Sequence, residues 1–270
     1  MRRILTAVVL IPLVVALVLW GPVYLLVAVQ LVIALAGLWE FFRLAEAAGF
    51  RVSRIPGYLF AIPLSLFSFS PYSEFFGPGI PLAVLLLGVL MVAGMRPQRD
   101  LSAYIGSVAV SFLGPIYVVV PLSLLVPVWL AYDGPYHLLF ALAVIWASDT
   151  AAYFIGKNLG KHKSSPRISP NKTWEGTIAS FLAALLVGLI TARYFWGGDG
   201  YAEPIILGAA LNVAGQFGDL AESALKRSAG VKDSSNLIPG HGGVLDRIDA
   251  LLFAAPVLWY YWFWFSPVIG

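Results

Sequence analysis

The sequence contains no cysteine, and Asp, Glu, Lys and Arg together supply only 11% of its 270 residues. The lack of cysteine excludes disulfides, thiolate metal sites and cysteine nucleophiles, although it does not identify a compartment. The low charge excludes an ordinary soluble domain, in which about 25% of residues are charged. The chain also has neither a P-loop lysine motif nor a G-x-S-x-G motif, so neither of those enzyme signatures is present.

Apolar residues dominate instead and make up 60% of the chain. A spanning helix needs about 20 of them, which leaves room for roughly eight to ten spans and no separate soluble domain. Nine apolar segments can be marked: Ile4–Trp20, Val23–Leu38, Tyr58–Phe69, Ile80–Gly94, Ala103–Leu130, Leu138–Ile155, Thr177–Tyr194, Pro204–Gly215 and Ala250–Ile269. Pro115, Pro121 and Pro127 are expected to kink or divide the longest one. We therefore predict an all-α polytopic integral membrane protein with about nine transmembrane helices.

The distribution of positive charge indicates an orientation, because cytoplasmic loops are enriched in Lys and Arg. If nine spans follow a cytoplasmic N-terminus, 16 of the 17 Lys and Arg residues lie inside and only Arg193 lies outside. The same bias accounts for the net charge of +3, so we predict no nucleic-acid partner. The apolar run after Met1-Arg2-Arg3 is interpreted as a retained first span, because no signal-peptide cleavage site follows it.

The two longest inside loops, 156–176 and 218–249, both belong to the second half of the chain. Long loops in a compact chain are usually functional or disordered, and these two are rich in charge, Gly, Pro and Asn. We therefore divide the chain into two regions. Residues 1–135 are predicted to form a transmembrane scaffold, which could also provide lipid entry or oligomer contacts. Residues 136–270 are predicted to form a catalytic transmembrane region with two long cytoplasmic loops.

A polar stripe leads into the second of these loops. It consists of Asn212, Gln216, Asp219, Ser223 and Lys226. These residues are separated by 4, 3, 4 and 3 positions, so they share one face of an α-helix, which Gly230 is placed to end. Because the stripe begins inside an apolar segment, we predict that it is functional, with a solvated helix face as the alternative.

A glycine-rich segment follows, Pro239-Gly240-His241-Gly242-Gly243-Val244-Leu245-Asp246-Arg247-Ile248-Asp249. Glycines let backbone N–H groups approach a ligand closely, and phosphate oxygens bind such groups. Asp246 and Asp249 are one helical turn apart, where two carboxylates repel unless a cation lies between them. With Asp219 they would form an oxygen-rich site suited to Mg²⁺. The alternative is that these acids only stabilise a helix N-terminus.

The first long loop contains Ser169-Pro170-Asn171-Lys172-Thr173-Trp174-Glu175-Gly176. We predict that this segment forms a turn that presents a cation and a hydroxyl, and that a helix starts between Thr173 and Gly176. Upstream, Asp149 lies inside an apolar segment, where a carboxylate is costly and usually functional. It is therefore a candidate site residue, with a structural ion pair to Lys157 as the alternative.

These motifs together resemble the signature of the phosphatidate cytidylyltransferases, the CDP-diacylglycerol synthases. The resemblance rests on Ser223-Ala224-Leu225-Lys226-Arg227, Lys232-Asp233 and the glycine-rich segment, and it extends upstream to 149–157 and 169–176. It implies that CTP and phosphatidic acid become CDP-diacylglycerol and pyrophosphate, with a divalent metal. It also implies a multi-pass protein of the cell (inner) membrane whose active site faces the cytoplasm.

The resemblance further implies roles for individual residues. Asp219, Asp246 and Asp249 would hold one or two Mg²⁺ ions, with a monovalent cation as a further option, and would form the catalytic set together with Lys226. The substrate-binding residues would be Asp149, Asn171, Lys172, Ser223, Arg227, Lys232, His241, Gly242, Gly243 and Arg247. The expected partners are CTP, phosphatidic acid and the lipid bilayer. Small residues on several spans are also compatible with a homodimer.

Two alternatives from the same residues stay open at this point. The first is a secondary transporter of an anionic substrate, with Asp149 and Asp219 as coupling carboxylates, although the chain shows no inverted repeat. The second is a CTP-dependent lipid kinase, which would need a similar cytoplasmic phosphate site.

Overall fold

A computed structural model of the protein describes residues 2–67, 84–92, 104–131, 133–195, 200–238 and 242–265. Within these ranges the chain is helical apart from one short antiparallel hairpin and the connecting loops, which confirms the predicted all-α class. The helices are α1 (Arg2–Trp20), α2 (Val23–Ala47), α3 (Arg54–Phe67), α4 (84–92), α5 (Tyr104–Gly114), α6 (Val120–Leu130), α7 (Gly134–Leu159), α8 (Trp174–Tyr194), α9 (Ala202–Ser228) and α10 (Leu245–Phe265). The strands are β1 (Lys163–Ser165) and β2 (Ser169–Thr173).

Five helices in the described ranges are long and apolar enough to cross a membrane. They are Val23–Ala47, Tyr104–Leu130, Gly134–Leu159, Trp174–Tyr194 and Leu245–Phe265, and a shorter apolar helix covers Val8–Trp20. These are the helices of a membrane protein. The predicted segments 58–69 and 80–94 extend beyond the described residues, and the predicted outside loop 70–79 lies outside them.

The longest apolar segment contains the irregularity that its prolines predict. Helix α5 passes through a π-helical turn, Pro115–Val119, and continues as α6 to Leu130. A proline has no N–H to donate, and its ring displaces the carbonyl four residues earlier. A π-turn absorbs that displacement without ending the helix.

Two helices run well beyond their predicted apolar segments. Helix α2 continues from Leu38 to Ala47, because burial continues through Phe41 and Leu44 although this stretch also contains charged residues. Gly49 follows two residues after the end of the helix and has a φ of 95°, a left-handed conformation that favours glycine. Helix α9 extends from the apolar segment to Ser228, and the left-handed Gly230 follows at φ 70°, as predicted.

The chain divides into two compact units, of which the first comprises Met1–Ala131 and Leu225–Ile248. Helix α2 is central to this unit. Its Gln30 donates to Ser65 of α3 at 3.3 Å and to Ser123 of α6 at 3.4 Å. About three turns further along, Phe41 and Phe42 form edge-to-face and tilted ring contacts with each other and with the aromatic residues Tyr117 and Tyr58. The N-terminal helices therefore enclose both polar and aromatic buried contacts.

The second unit comprises Tyr132–Ala224 and Asp249–Gly270. Its helices approach one another closely at glycines. A Cβ on Gly188 of α8 would lie 2.7 Å from the Cα of Ile205, and one on Gly218 of α9 would lie 2.3 Å from the carbonyl oxygen of Asp249. Across the interior, Ser148 Oγ of α7 donates to the carbonyl of Ser180 on α8 at 3.2 Å.

Candidate active site

The predicted polar stripe lies on one uninterrupted helix, α9. Gln216 Nε2 donates to Asn212 Oδ1 at 2.6 Å, and Asn212 Nδ2 donates to Ser180 Oγ at 2.7 Å. Ser223 Oγ donates to Asp219 Oδ1 at 3.3 Å. Asn212 and Ser180 are buried, so the deep end of the stripe packs within the protein, whereas a solvated face would be exposed there.

The C-terminal end of α9 carries Lys226, whose Nζ lies 2.6 Å from Oδ1 of Asp246 in the first turn of α10. The two side chains are only 13% and 6% exposed, so this ion pair is largely withdrawn from water. The positive end of the α10 dipole also favours a carboxylate at this position. Two predicted site residues are thus in direct contact.

The other oxygen of Asp246, Oδ2, accepts three hydrogen bonds from the preceding loop. Ser234 donates through its backbone N–H at 2.9 Å and its hydroxyl at 2.7 Å, and the N–H of Gly243 donates at 2.8 Å. Gly242 has a φ of 80°, and a Cβ on it would lie 2.8 Å from Asp246 Oδ2. The glycines therefore let the loop close around a carboxylate of the protein itself, where we had expected a ligand phosphate.

A residue of the N-terminal part of the chain completes this cluster. Glu40 of α2 is fully buried, and its carboxylate accepts hydrogen bonds from the hydroxyls of Ser234 and Ser235 and from the backbone N–H groups of Val244 and Leu245. We call this set of contacts the loop cluster: Glu40, Lys226, Ser234, Ser235, Gly243, Val244, Leu245 and Asp246.

A second ion pair connects the β1–β2 hairpin to α9. Lys172 Nζ lies 2.7 Å from Oδ2 of Asp219, and these side chains are 24% and 39% exposed. The adjacent Thr173 caps α8, because its hydroxyl accepts from the N–H of Gly176 at 3.2 Å, and the helix start predicted here is confirmed. The segment that we expected to be only a turn forms β2, paired with β1. We call Lys172, Asp219 and Ser223 the hairpin cluster.

The other predicted residues have separate environments. Arg227 donates to the carbonyl of Val231 at 3.2 Å, and Asp249 Oδ1 accepts from the N–H of Ala250 at 2.8 Å. The exposed members are Asp149 on α7, Asn171 on β2, Lys232 in the loop and Arg247 on α10. His241 lies outside the described residues.

The carboxylates differ in how well they fit a divalent cation. Among the described residues, no group of three His, Cys, Asp or Glu side chains is arranged to hold a metal ion. Mg²⁺ commonly needs only one or two protein carboxylates, together with substrate phosphates and water. The partly exposed Asp219 fits that requirement. Asp246 fits it only if a cation replaces Lys226 at Oδ1, because Oδ2 already accepts from three donors.

An apolar groove of about 960 Å³ runs along α9 within the second unit. Its walls include Ala210, Val213 and Phe217 of α9 and Phe253 of α10, and Ile168 of the hairpin lies at its edge. All of its lining side chains are apolar. Its α9 wall extends from Ile206 to Ala224, which is about 27 Å at 1.5 Å per residue.

Comparison with known proteins identifies the family. The model of the cytidylyltransferase family matches residues 1–265. The chain belongs to the cytidylyltransferase family. This membership confirms the resemblance inferred from the motifs. It also extends the similarity to the N-terminal helices, which contain none of those motifs.

Individual members of the family are similar to different extents. Phosphatidate cytidylyltransferase of Brucella suis biovar 1 is 49% identical over 122 residues, or 45% of each chain. The protein of that name from Haemophilus influenzae is 45% identical over 136 residues, 49% of this chain and 47% of the relative. That from Bacillus subtilis is 36% identical over 222 residues, 81% of this chain and 82% of the relative. The chain thus spans about half the length of the first two relatives it matches.

Several buried polar residues were not predicted from the sequence. Glu40 follows the apolar segment that was marked as far as Leu38, and Ser234 and Ser235 look like ordinary loop serines. Glu222 of α9 is also fully buried. A usable signal existed for Glu40: three of the four residues that lie three or four positions away on its helix face, Ala36, Gly37 and Leu44, are small or apolar.

Proposed function

We propose that the protein is a membrane cytidylyltransferase that converts CTP and phosphatidic acid into CDP-diacylglycerol and pyrophosphate. The observation that carries the proposal is the buried Lys226–Asp246 pair, because the motif that resembles the phosphatidate cytidylyltransferases folds around it into one hydrogen-bonded cluster. Family membership and the names of the similar proteins support the same reaction.

The reaction needs anionic groups to meet. An oxygen of the phosphatidate phosphate attacks the α-phosphorus of CTP and forms a new P–O bond. The bond from the α-phosphorus to the oxygen that bridges to the β-phosphorus breaks, and pyrophosphate leaves with that electron pair. Because both reactants are negative, positioning and charge neutralisation supply most of the catalysis. No side chain has to act as a nucleophile.

The cations of the two clusters suit the neutralising role. In the proposal, Lys172 of the hairpin cluster and Lys226 of the loop cluster contact phosphate oxygens, with Arg227, Lys232 and Arg247 as further cations on or after α9 and on α10. Hydrogen bonds to substrate would come from Ser223, Asn171 and the His241–Gly243 segment. Asp149 is a secondary member of the set, since it lies on α7, outside the sequence motif that contains Lys226 and Asp246.

Mg²⁺ is the proposed cofactor, held by Asp219 and Asp246 with Asp249 as the third candidate ligand. When bound, it would neutralise the triphosphate and stabilise the leaving pyrophosphate. In this structure Lys172 pairs with Asp219, and Lys226 pairs with Asp246. A cation that binds to either carboxylate would take the place that its lysine now occupies. One or two divalent ions, and a monovalent ion beside them, are compatible with this donor set.

The apolar groove suits the lipid substrate. One leaflet of a bilayer is about 15 Å of hydrocarbon, half of the whole core, so the groove wall of α9 is long enough for an acyl chain. The C-terminal end of that wall, Leu220 to Ala224, directly follows Asp219 on the helix. An acyl chain lying here would bring its phosphate toward the level of the hairpin cluster.

The proposed topology has nine spans, a cytoplasmic N-terminus and the active site on the cytoplasmic side of the cell (inner) membrane. The support is the concentration of Lys and Arg in alternate loops. Because the chain has no cysteine, single cysteines can be added to a clean background. In cells, Ser164→Cys should react with an impermeant maleimide only after permeabilisation, and Gly200→Cys before it. The reverse pattern would overturn the orientation.

A homodimer, also compatible with the sequence, is tested by cross-linking in native membranes.

The reaction itself is tested with detergent-purified protein, radiolabelled CTP, phosphatidic acid and Mg²⁺. We expect label to enter the organic phase as a CDP-lipid, and EDTA and Asp246→Asn to abolish this transfer. If no label enters the organic phase with any acyl chain or divalent metal, the proposal fails. Uptake of anions into proteoliposomes would then support the transporter, and labelled phosphate transfer from [γ-³²P]CTP to a lipid would support the kinase.

A further inference from the structure

Glu40 is a carboxylate in an unusual place for an acid. It lies on α2, a helix apolar enough to span a membrane, and it is 0% exposed. A charged side chain within such a helix is costly and is generally retained for function. The reaction proposed above assigns it no role, because none of its hydrogen bonds is to a residue of the metal or phosphate set.

Four hydrogen-bond donors surround the carboxylate of Glu40. Oε1 accepts from Ser235 Oγ at 2.5 Å and from the N–H of Val244 at 2.9 Å. Oε2 accepts from Ser234 Oγ at 3.0 Å and from the N–H of Leu245 at 2.6 Å. A carboxylate offers about four acceptor sites and no donor when ionised, so these four donors match its capacity.

Two of those donors show that Glu40 caps another helix. The N–H groups at the start of a helix have no partner within it, and α10 begins at Leu245. Glu40 accepts from the N–H of Leu245 and from that of Val244 just before it. The negative charge therefore lies at the positive end of the α10 dipole, which stabilises it there.

The contact is close enough to depend on glycine. A Cβ on Gly243 would lie 2.0 Å from Ser234 Oγ and 2.4 Å and 2.6 Å from the two oxygens of Glu40. Real Cβ atoms do not approach oxygens so closely. Gly243 is therefore required for the loop to reach Glu40, in addition to the hydrogen bond that its N–H donates to Asp246.

Glu40 and Asp246 share their partners. The hydroxyl of Ser234 lies 3.0 Å from Glu40 Oε2 and 2.7 Å from Asp246 Oδ2. Gly243 packs against Glu40 and donates to Asp246, and Leu245, whose N–H Glu40 accepts, precedes Asp246 in the chain. The position of Asp246 is thus determined by groups that Glu40 holds.

We propose that Glu40 is a positioning residue for the reaction, which orients the Asp246 carboxylate by fixing the Ser234–Ser235 segment and the start of α10 around it. This inference rests on the proposed function. It assigns to an N-terminal helix a direct part in building the active site, beyond the scaffold, lipid-entry or oligomer roles expected from the sequence.

The decisive variant is Glu40→Gln, which keeps the shape but places an NH₂ donor against groups that themselves donate. We expect kcat for CDP-lipid formation to fall about 10–100-fold, the range for groups that orient a metal ligand, and the Mg²⁺ concentration for half activation to rise. Glu40→Asp, which keeps the charge but is too short to reach α10, should be similarly impaired. Ser235→Ala, which removes one donor, should have a smaller effect in the same direction.

Two controls lie on the same helix. Glu46→Gln makes the same chemical change at an exposed ion pair with Arg54 and should leave kcat and the Mg²⁺ requirement unchanged. Gln30→Ala removes buried hydrogen bonds in the same unit, to Ser65 and Ser123, without touching the loop. It should lower the melting temperature at least as much as Glu40→Gln while retaining wild-type kcat, which separates positioning from general stability.

Amide hydrogen–deuterium exchange tests the same inference without relying on enzyme activity. In Glu40→Gln the amides of 234–235 and 243–246 should exchange faster than in wild type, while amides of α7 and α8 should not change. Faster exchange with reduced kcat supports the inference. Wild-type kcat and Mg²⁺ dependence in a folded Glu40→Gln overturn it, as does wild-type exchange. If Glu40→Gln does not fold, Ser235→Ala decides by the same readouts. Failure of the wild-type protein to make CDP-lipid would instead overturn the proposed function, and the exchange arm would still test Glu40.

Discussion

Two lysine–aspartate pairs, each 2.6–2.7 Å long, differ in how far their side chains are exposed to solvent. Lys226 and Asp246 are 13% and 6% exposed, and Asp246 accepts three further hydrogen bonds from the loop. Lys172 and Asp219 are 24% and 39% exposed, and Asp219 accepts one further hydrogen bond, from Ser223. The same two side-chain types are therefore a buried structural element in one place and a partly solvated contact in the other.

The difference in solvent exposure suits the two clusters to different tasks. A buried ion pair contributes little net stability, but removal of one partner leaves a buried charge and is strongly destabilising. A partly exposed pair contributes about 1 kcal/mol or less, so its members can exchange partners at little cost. The hairpin cluster is thus suited to admit an incoming phosphate or cation, and the loop cluster is suited to hold fixed geometry.

The largest effect is expected for Asp246→Asn. Turnover should fall by at least about a thousand-fold, because a charge that acts on the reacting groups is lost and Lys226 is left buried without it. We expect the protein to remain folded in detergent but to melt at a lower temperature. Asp133→Asn is the matched control, since Asp133 is exposed and its left-handed φ of 58° suits asparagine. Wild-type turnover in Asp246→Asn would remove it from the metal site.

Asp219→Asn should lower turnover about 100-fold, the order expected for one electrostatic contact in a phosphate site. Its stability should hardly change, because Lys172 can turn to solvent. Paired measurements of CDP-lipid formation and melting temperature would test this contrast with Asp246. A loss of stability as large as that of Asp246→Asn would erase the distinction between the two clusters.

Gly243→Ala tests the close packing of the loop cluster. Its Cβ would overlap Ser234 and Glu40, so we expect a loss of about 1–3 kcal/mol in stability and a fall in turnover of about 10–100-fold. Gly88→Ala is the matched control, because a Cβ there meets nothing within 4 Å. Thermal unfolding monitored beside the lipid assay gives both quantities, and an unperturbed Gly243→Ala would show that the loop can rearrange freely.

Ala214→Phe, which fills the apolar groove, should have the smallest effect. We expect KM for long-chain phosphatidic acid to rise a few-fold, with KM for CTP and the stability unchanged, because the groove contains no polar contact. Ala143→Phe on the exposed side of α7 serves for comparison. Equal KM values for short-chain and long-chain substrates in Ala214→Phe would place the acyl chain elsewhere.

Much of the fold and part of the site could be predicted because they depend on short-range physics. The α9 stripe follows from the helical period, Gly230 from the need for a left-handed residue after a helix, and the Thr173 cap from the N–H groups that a helix start leaves open. Apolar content predicts membrane helices, and five are evident in the described ranges. The motif residues were sufficient to identify the family, which the match over 1–265 confirms.

The pairing of those residues could not be predicted in the same way. That Asp246 contacts Lys226 and Asp219 contacts Lys172 depends on how the helices and the hairpin pack, and the strands of that hairpin were not expected. The extension of α2 past Leu38 was missed because the charged Glu40 follows there, whereas the structure buries Glu40 itself together with Phe41 and Leu44.

The amino-acid sequence by itself determined the membrane helices, the polar face of α9 and the family, since each depends on composition or on residues within a few turns. The tertiary structure alone decided that Glu40 belongs to the loop cluster. Its partners Ser234 and Leu245 are 194 and 205 residues away in the chain. No local pattern records that relation, because a buried carboxylate is stabilised only by donors that folding brings to it.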